Sequence, residues 1–260
     1  MNKNFFEIKD VTFSIGGQNK VNDVSISIKK KGDIICILGP SGIGKTTMLR
    51  TIAGLERINK GEIILKDKVI SSNKIHVDPE KRNIALSFQE NSLFPHYNVG
   101  KNIHLGDKLN STSNKNINSK EIIKILNIES ILDKYPHQIS AGEAQRASLA
   151  RSLISQPDLL LLDEPLSNVD QSFKEDIQVA LKQLLKKNRI STIVVTHDSY
   201  EAFYLGNKCA LVLNNEVKQF DDPYNVYHFP NSVEVVNFLN RGILLPAKVT
   251  GGNSLENDDL

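Results

Sequence analysis

The first ninety residues alternate apolar and polar positions mostly in the manner of β-strands. Alternation over Phe5–Phe13 and Val24–Ile28 predicts two strands that each bury one face. Ile34–Leu38 is a continuous apolar run, which is typical of a buried parallel strand. Lys45–Ala53 then has a helical pattern that ends at Gly54. Two short apolar runs predict further strands, at Glu62–Leu65 and Ile84–Phe88.

Helical periodicity replaces this pattern between about Asn91 and Leu153. It is clearest over Glu121–Leu126 and Ala144–Ile154. The stretch Asp107–Ser119 is rich in Asn, Ser, Thr and Lys, and we expect it to form a polar loop. The middle of the chain therefore reads as a helical insertion.

Strand and helix patterns alternate again in the last part of the chain. The predicted strands are Leu159–Leu162 and Thr192–Thr196, the predicted helices are Gln171–Lys187 and Ser199–Leu205, and a hairpin is predicted over Ala210–Phe220. Such alternation favours a largely parallel sheet. The predicted fold class is α/β, with a mostly parallel core sheet, an antiparallel β part near the N-terminus and the helical insertion.

Composition narrows the class of protein. Apolar residues make up 40% of the 260 residues and charged residues 24%, which is ordinary for a globular protein. The formal net charge of +2 is too small to indicate a nucleic-acid partner. The apolar runs have the length of strands, whereas a membrane-spanning helix needs about 20 apolar residues. We therefore expect any membrane association to come through a partner.

One segment fits the pattern G-x-x-x-x-G-K-[ST] of phosphate-binding loops, and it lies between a predicted strand and a predicted helix. Its residues are Gly39, Pro40, Ser41, Gly42, Ile43, Gly44, Lys45 and Thr46. Glycines let backbone N–H groups point at phosphate oxygens, and the N-terminus of the following helix adds positive potential. We expect Lys45 to reach the β- and γ-phosphates of ATP, Thr46 to bind Mg²⁺, and Thr47 to contact the α-phosphate.

Polar residues at the ends of two other predicted strands complete the candidate chemistry. Asp163 and Glu164 follow Leu159–Leu162, and His197 follows Ile193–Thr196. The carboxyl ends of parallel strands meet at one edge of a sheet, where ligands bind in open α/β folds. We expect Asp163 to hold Mg²⁺ through water, Glu164 to act as general base toward the attacking water, and His197 to contact the γ-phosphate.

Several families share these elements, and a further segment distinguishes between them. Ile139–Arg146 resembles the signature Leu-Ser-Gly-Gly-Gln of ABC ATPases, with its trailing Gln-Arg. Gln89 matches that family's glutamine loop, Leu166–Asp170 matches the loop after the acids, and His197 matches its switch histidine. The order of motifs agrees over about Phe5–Lys248. On these residues the chain resembles an ABC transporter ATP-binding subunit.

The resemblance implies a head-to-tail dimer in which each ATP lies between two copies of the chain. Ser140 and Gly142 would then contact the γ-phosphate in the partner copy's site, and Gln89 would bind Mg²⁺ and sense the nucleotide. Phe94–His96 and the helical insertion would contact two transmembrane permease subunits, served by a solute-binding protein. The resemblance also implies a peripheral location on the cytoplasmic face of the bacterial inner membrane.

Two departures from the family pattern bear on the site. Ala141 replaces the first signature glycine, which crowds the phosphate unless the backbone there has an ordinary φ. The aromatic residue that usually stacks on adenine is replaced by Ile15, and Phe13, two residues earlier on the same strand face, is the alternative.

The family pattern also implies a division of the chain. Residues 1–90 and 156–240 would form a RecA-like ATP-binding core with the antiparallel β subdomain, and residues 91–155 a helical signature subdomain. Residues 241–260 would be a remnant of a C-terminal regulatory β domain, or a tail. Segments such as Pro79–Arg82 and Tyr135–Gln138 resemble importers for ferric iron, polyamines, sulfate, thiamine and phosphonates, and they favour ferric iron.

Two other functions are compatible with parts of the pattern. A soluble ABC ATPase of DNA repair or translation usually carries a long coiled-coil insertion or two ATPase halves, and the sequence has neither. A module that binds ATP without hydrolysing it is disfavoured by Glu164 and His197, although Ala141 leaves it open. We therefore expect an ATP hydrolase coupled to import, with ferric iron as the solute and another of these solutes as the alternative.

Overall fold

The computed structural model describes residues 4–15, 19–88, 93–109, 118–169, 171–240, 248–251 and 254–256. The strands are β1 (Phe6–Ile15), β2 (Asn19–Ile28), β3 (Ile34–Leu38), β4 (Lys60–Leu65), β5 (Lys68–Ser72), β6 (Ile84–Ser87), β7 (Leu159–Asp163), β8 (Ser191–Thr196), β9 (Lys208–Leu213), β10 (Glu216–Asp221), β11 (Lys248–Gly251) and β12 (Ser254–Glu256). The α-helices are α1 (Lys45–Ala53), α2 (Val99–Leu109), α3 (Ser119–Ile125), α4 (Ala141–Ile154), α5 (Gln171–Lys187), α6 (Ser199–Leu205), α7 (Pro223–His228) and α8 (Val233–Phe238).

The central sheet has six strands in the order β10-β9-β3-β8-β7-β6. All neighbouring pairs are parallel except the β9–β10 hairpin at one edge. Strands β3 and β7 are buried along their whole length, as their continuous apolar runs predict. The phosphate-loop strand β3 therefore lies between β9 and β8, and β8 separates it from the acid-bearing β7.

A second sheet has four antiparallel strands in the order β2-β1-β4-β5. One apolar cluster joins this sheet, α1 and one face of the central sheet, and a second cluster joins the other face to α2–α6. The prediction of a mostly parallel core, an antiparallel N-terminal β part and a helical insertion is confirmed by this topology.

Some local predictions were incomplete. Strand β5 and helices α2, α7 and α8 were not predicted, and α2 extends over Asp107–Leu109, where we expected a loop. The remainder of that expected loop, 110–117, lies outside the described residues. None of the helices in the described part of the chain is long and apolar enough to span a bilayer. The proposed boundaries at residues 90, 155 and 240 stay predictions.

Candidate functional site

The phosphate loop connects β3 to α1 through a tight turn. Gly42 and Gly44 have φ angles of 80° and 98°, in the left-handed region that glycine adopts without steric cost. A Cβ on Gly44 would also collide with the side chain of Ile15, and one on Gly39 with the carbonyl oxygen of Val212. These glycines are therefore required by backbone conformation and by close packing.

Lys45 is buried inside this loop. Its Nζ donates hydrogen bonds to the carbonyl oxygens of Gly39 at 2.7 Å and Pro40 at 2.8 Å. Burial lowers the pKa of Lys45, while the nearby carboxylates of Glu164 and Asp163 oppose that shift. Phosphate oxygens can replace the two carbonyls as stronger, charged acceptors.

Asp163 ends β7 and is only 3% exposed. Burial raises the pKa of its carboxyl, whereas a hydrogen bond with Thr46 lowers it. A hydroxyl and a carboxylate in contact are hard oxygen donors of the kind that Mg²⁺ prefers. Within the described ranges, no group of three or more His, Cys, Asp and Glu could hold a metal ion by itself. The pair Thr46–Asp163 therefore fits Mg²⁺ as a partial ligand set, completed by water and phosphate.

Glu164 follows Asp163 in a strained conformation, with a φ of 46° that is uncommon for a residue with a side chain. Its N–H donates to the carbonyl of Val195 on β8 at 2.8 Å. Its Oε1 lies 3.0 Å from His197 Nδ1, a distance at which the ring N–H donates to the carboxylate. The Glu164 side chain is shielded, while most of the His197 side chain faces solvent.

A hydrogen-bond network holds the turn between β8 and α6, which contains His197. The Thr196 hydroxyl donates to the buried carboxyl of Glu201 at 2.6 Å and accepts from the backbone N–H of Asp198 at 3.1 Å. Lys174 Nζ on α5 donates a hydrogen bond to Asp198 Oδ2 at 2.7 Å. Burial raises the pKa of Glu201.

One cavity of about 320 Å³ gathers most of the predicted residues. It is lined by Ile15, Ser41, Gly42, Gly44, Lys45, Thr46, Thr47, Asp163, Glu164 and His197. The remaining loop residues support it, since Ile43 packs against the apolar cluster beneath the loop. Oxygen donors, a cation and a carboxylate–imidazole pair therefore face one space at the edge of the sheet.

The two residues predicted to stack on adenine, Phe13 and Ile15, differ in their access to the cavity, and the predicted Mg²⁺ ligand Gln89 cannot be placed. Phe13 does not reach the cavity, because its side chain is 1% exposed within the core between the sheets. Both it and Ile15 lie on the same strand face, but only Ile15, at the end of β1, reaches the opening. Gln89 lies outside the described residues.

The signature segment forms the N-terminus of α4. Ser140 is its N-cap: its Oγ accepts from the Glu143 N–H at 3.2 Å, and its own N–H donates to Glu143 Oε2 at 2.8 Å. Ala141 is the first helical residue, so its methyl group imposes no backbone strain. A Cβ on Gly142, in contrast, would collide with the carbonyl oxygen of Asn168. Among the described residues that line the cavity, none belongs to this segment.

The sequence motifs did not predict the role of Gln145, whose buried side chain joins the signature helix to the loop after β7. Its Nε2 donates to the Glu164 carbonyl at 2.7 Å and to Ser167 Oγ at 3.2 Å, and its Oε1 accepts from the Asn168 N–H at 3.1 Å. The available signal was an amide among the small and apolar residues of a buried helix, because such a group requires polar partners.

Comparison with known proteins points to one family. Residues 21–167 match the family model described as "ABC transporter". The chain is 35% identical over 258 residues to the Fe(3+) ions import ATP-binding protein FbpC of Haemophilus influenzae (strain 86-028NP), covering 98% of this chain and 73% of that protein. It is 38% identical over 245 residues to the spermidine/putrescine import ATP-binding protein PotA of Chromobacterium violaceum, covering 94% and 66% respectively.

A solved structure is similar as well. The dimeric ATP-binding cassette MJ0796, in a post-hydrolysis state bound to ADP and Pi, superposes with a TM-score of 0.71 at 27% identity, covering 84% of this chain and 98% of that one. The resemblance drawn from the sequence motifs is thus confirmed in family and fold. The chain belongs to the ABC transporter family, as an ATP-binding and ATP-hydrolysing subunit.

Proposed function

We propose that this chain energises an importer by hydrolysing Mg²⁺–ATP between two of its copies. The observation that carries the proposal is the pairing of Glu164 with His197, 3.0 Å apart, at the mouth of the phosphate loop. A module that only binds nucleotide has no need for a carboxylate and an imidazole facing the phosphate end of its site.

The residues have separate roles in this proposal. The loop N–H groups and Lys45 hold the phosphates, while Thr46, Asp163 and Gln89 hold Mg²⁺, which neutralises phosphate charge when bound. Glu164 accepts the proton of the attacking water as general base. His197 contacts the γ-phosphate and orients the Glu164 carboxylate, and Ile15 contacts the base of the nucleotide.

The proposed partner in the site is a second copy of the chain. The cavity has an exposed mouth without any signature residue on it, and the similar cassette MJ0796 is dimeric. In a head-to-tail dimer, Ser140 and Gly142 of one copy would approach the phosphate held by the other copy. Backbone N–H groups at a helix N-terminus suit that task.

The proposed docking site for the two permease subunits is a groove of about 400 Å³ beside α4. Phe94 stands in it with 46% of its surface exposed, and the guanidinium of Arg151 lies 5.5 Å from the centre of its ring. An exposed aromatic next to a cation is a suitable anchor for a partner helix. This docking would keep the chain on the cytoplasmic face of the bacterial inner membrane, with a solute-binding protein on the other side and no role for nucleic acid.

Ferric iron is the solute that we propose. Three relatives at 34–35% identity are Fe(3+) import proteins, and two of them align with 98% of this chain. Polyamines are the second candidate, because the PotA protein of Chromobacterium violaceum reaches the higher identity of 38%. Uptake of labelled ferric iron and labelled spermidine by cells with and without the gene distinguishes the two. Loss of spermidine uptake alone would overturn the iron proposal.

Glu164→Gln tests the hydrolytic mechanism. General-base catalysis contributes about 10²- to 10⁴-fold, so we expect turnover to fall by that factor while ATP binding persists. Turnover is measured at saturating Mg²⁺–ATP in the complete transport complex, and binding by ATP titration. Full turnover in Glu164→Gln would contradict the assignment.

A further inference from the structure

Gln145 joins the signature helix α4 to the loop that carries Glu164. Its side chain is 3% exposed, and both ends of its amide are bonded. The Nε2 group donates to the Glu164 carbonyl and the Ser167 hydroxyl, and the Oε1 atom accepts from the Asn168 N–H. The amide therefore bridges three residues of the segment 164–168.

That segment also touches α4 one turn earlier. Gly142 packs so closely on the Asn168 carbonyl that a Cβ would not fit between them. Residues 142 and 145 lie three positions apart, so they occupy one face of the helix. The start of α4 and the loop after β7 therefore meet at two points.

The backbone of Glu164 takes part in this contact. Glu164 has a φ of 46°, a conformation that surrounding bonds must maintain. Its carbonyl oxygen accepts from Gln145 Nε2, from the Ser167 N–H and from the Ser167 hydroxyl. Gln145 is the member of this set that comes from outside the loop.

We propose that Gln145 is a positioning residue for ATP hydrolysis. By holding the Glu164 carbonyl, it fixes the direction of the carboxylate in its own chain's site. Because α4 presents Ser140 to the partner copy's site, the same amide links the phosphate contact in one site to the base of the other. This inference rests on the proposed roles of Glu164 and Ser140.

The chain contains a matched control for a purely structural role. Gln219 on β10 makes the same two-sided connection: its Nε2 donates to the Phe229 carbonyl at 3.0 Å, and its Oε1 accepts from the Asn231 N–H at 3.1 Å. It is 8% exposed and does not line the nucleotide cavity. Loss of either amide therefore removes a buried bridge of the same kind, but only one bridge reaches Glu164.

The experiment compares Gln145→Met with Gln219→Met, since methionine keeps the length of the side chain without its polar atoms. Each full-length variant is measured in the complete transport complex for kcat, for KM of ATP and for thermal unfolding. We expect similar decreases in unfolding temperature. For Gln145→Met we expect kcat to fall about 10- to 100-fold with KM changed less than about twofold, because small misplacements of catalytic groups have effects of this size. Gln219→Met should keep the wild-type kcat.

A second variant separates the acceptor function of the Gln145 amide from its donor function. Gln145→Glu keeps an acceptor for the Asn168 N–H but cannot donate to the Glu164 carbonyl, so we expect its kcat to match that of Gln145→Met. If Gln145→Met does not fold, Ser167→Ala tests the same carbonyl by removing another of its donors, with a smaller fall in kcat expected.

The inference is overturned if Gln145→Met and Gln145→Glu keep wild-type kcat, or if Gln219→Met loses as much kcat as Gln145→Met. Glu164→Gln in the same assay separates this failure from that of the proposed function. Undiminished turnover in Glu164→Gln removes the base assignment itself. Lost turnover there, with normal turnover in both Gln145 variants, removes only the positioning role.

Discussion

The phosphate loop and the signature segment both start a helix, but they satisfy that helix differently. At the start of α1, Gly44 caps the helix without any side-chain hydrogen bond. At the start of α4, Ser140 and Glu143 form a reciprocal capping box. Backbone N–H groups at the first site are therefore left for a ligand, while some of those at the second are already occupied by the chain itself.

The surroundings differ in the same direction. Around α1 the cation of Lys45 and the acids of β7 face a common cavity within one chain. None of the signature residues lines that cavity, and Ser140 is exposed to solvent. The phosphate-loop site is largely complete within one chain, whereas the signature segment is an exposed surface that is suited to contact a partner.

The largest effect should come from testing this division with mixed dimers. Lys45→Ala disables the loop, and Ser140→Arg blocks the signature at an exposed position. Each variant alone should lose nearly all turnover. If the halves combine between copies, a mixed dimer of the two variants has one intact site. Random pairing then restores about a quarter of wild-type activity, as expected for a symmetric dimer with two such sites.

The reciprocal mixture provides the control. A chain with both substitutions forms dimers with wild type in which neither site is intact, so random pairing should leave about a quarter of wild-type activity, from the wild-type homodimers alone. Sites built within one copy would give a different pattern: no recovery from the two single variants, and about half of wild-type activity from the double variant with wild type. The two mixtures, prepared from separately tagged chains, thus decide where Ser140 acts.

The next largest effect is expected from substitutions of the two small signature residues, Ala141 and Gly142. Gly142→Ala places a methyl group against the Asn168 carbonyl, and overpacking of this kind costs about 1–3 kcal/mol. Ala141→Gly should cost no more than about 1 kcal/mol, the difference in helix propensity, and should leave turnover near wild type. Urea unfolding and ATPase assays on both variants test this asymmetry. Equal losses would show that the packing against Asn168 does not matter.

The same contrast explains what the sequence could predict. The phosphate loop is local: β3, the glycines and α1 follow one another, so the strand Ile34–Leu38 and the helix Lys45–Ala53 were predicted with their observed bounds. Asp163, Glu164 and His197 were placed at one edge because parallel strands end together, and the cavity contains all three.

Non-local packing accounts for what was missed. Phe13 follows the alternation of β1, but the second sheet buries it, which no property of β1 alone indicates. The contacts of Gln145 join positions 19 to 23 residues apart, and the Gly142 contact likewise depends on the fold of the loop after β7. Whether Ala141 is strained could not be decided until the helix start was located at that residue.

The contributions of Asp163, near the phosphate loop, and Glu143, in the signature segment, to the free energy of unfolding should change in opposite directions with pH. Burial raises the pKa of Asp163, so the native state binds its proton more strongly than the unfolded chain. Its contribution to stability is then present below the unfolded pKa and lost as pH rises through the folded pKa. We expect the free energy of unfolding of Asp163→Asn in a denaturant titration at pH 7 to exceed that of wild type by about 1 kcal/mol, while its turnover is lost. Lower stability of this variant at pH 7 would contradict the cost of burying the charge.

Glu143 should show the smaller and opposite effect. The hydrogen bond from the Ser140 N–H lowers the pKa of its carboxyl. Its stabilising contribution is therefore present above the unfolded pKa, about 4.3, and is lost as pH falls through the folded pKa. Glu143→Gln keeps the capping geometry but loses the charge at the helix N-terminus, so at pH 7 it should be less stable by about 0.3 kcal/mol. In urea unfolding the difference should shrink as pH falls through the folded pKa of Glu143, because the wild-type carboxylate then becomes protonated as well. A difference that persists below that pKa would mean that the capping geometry itself had changed. With an unchanged cap, any gain in turnover of Glu143→Gln would report relief of repulsion between this carboxylate and the partner copy's phosphate.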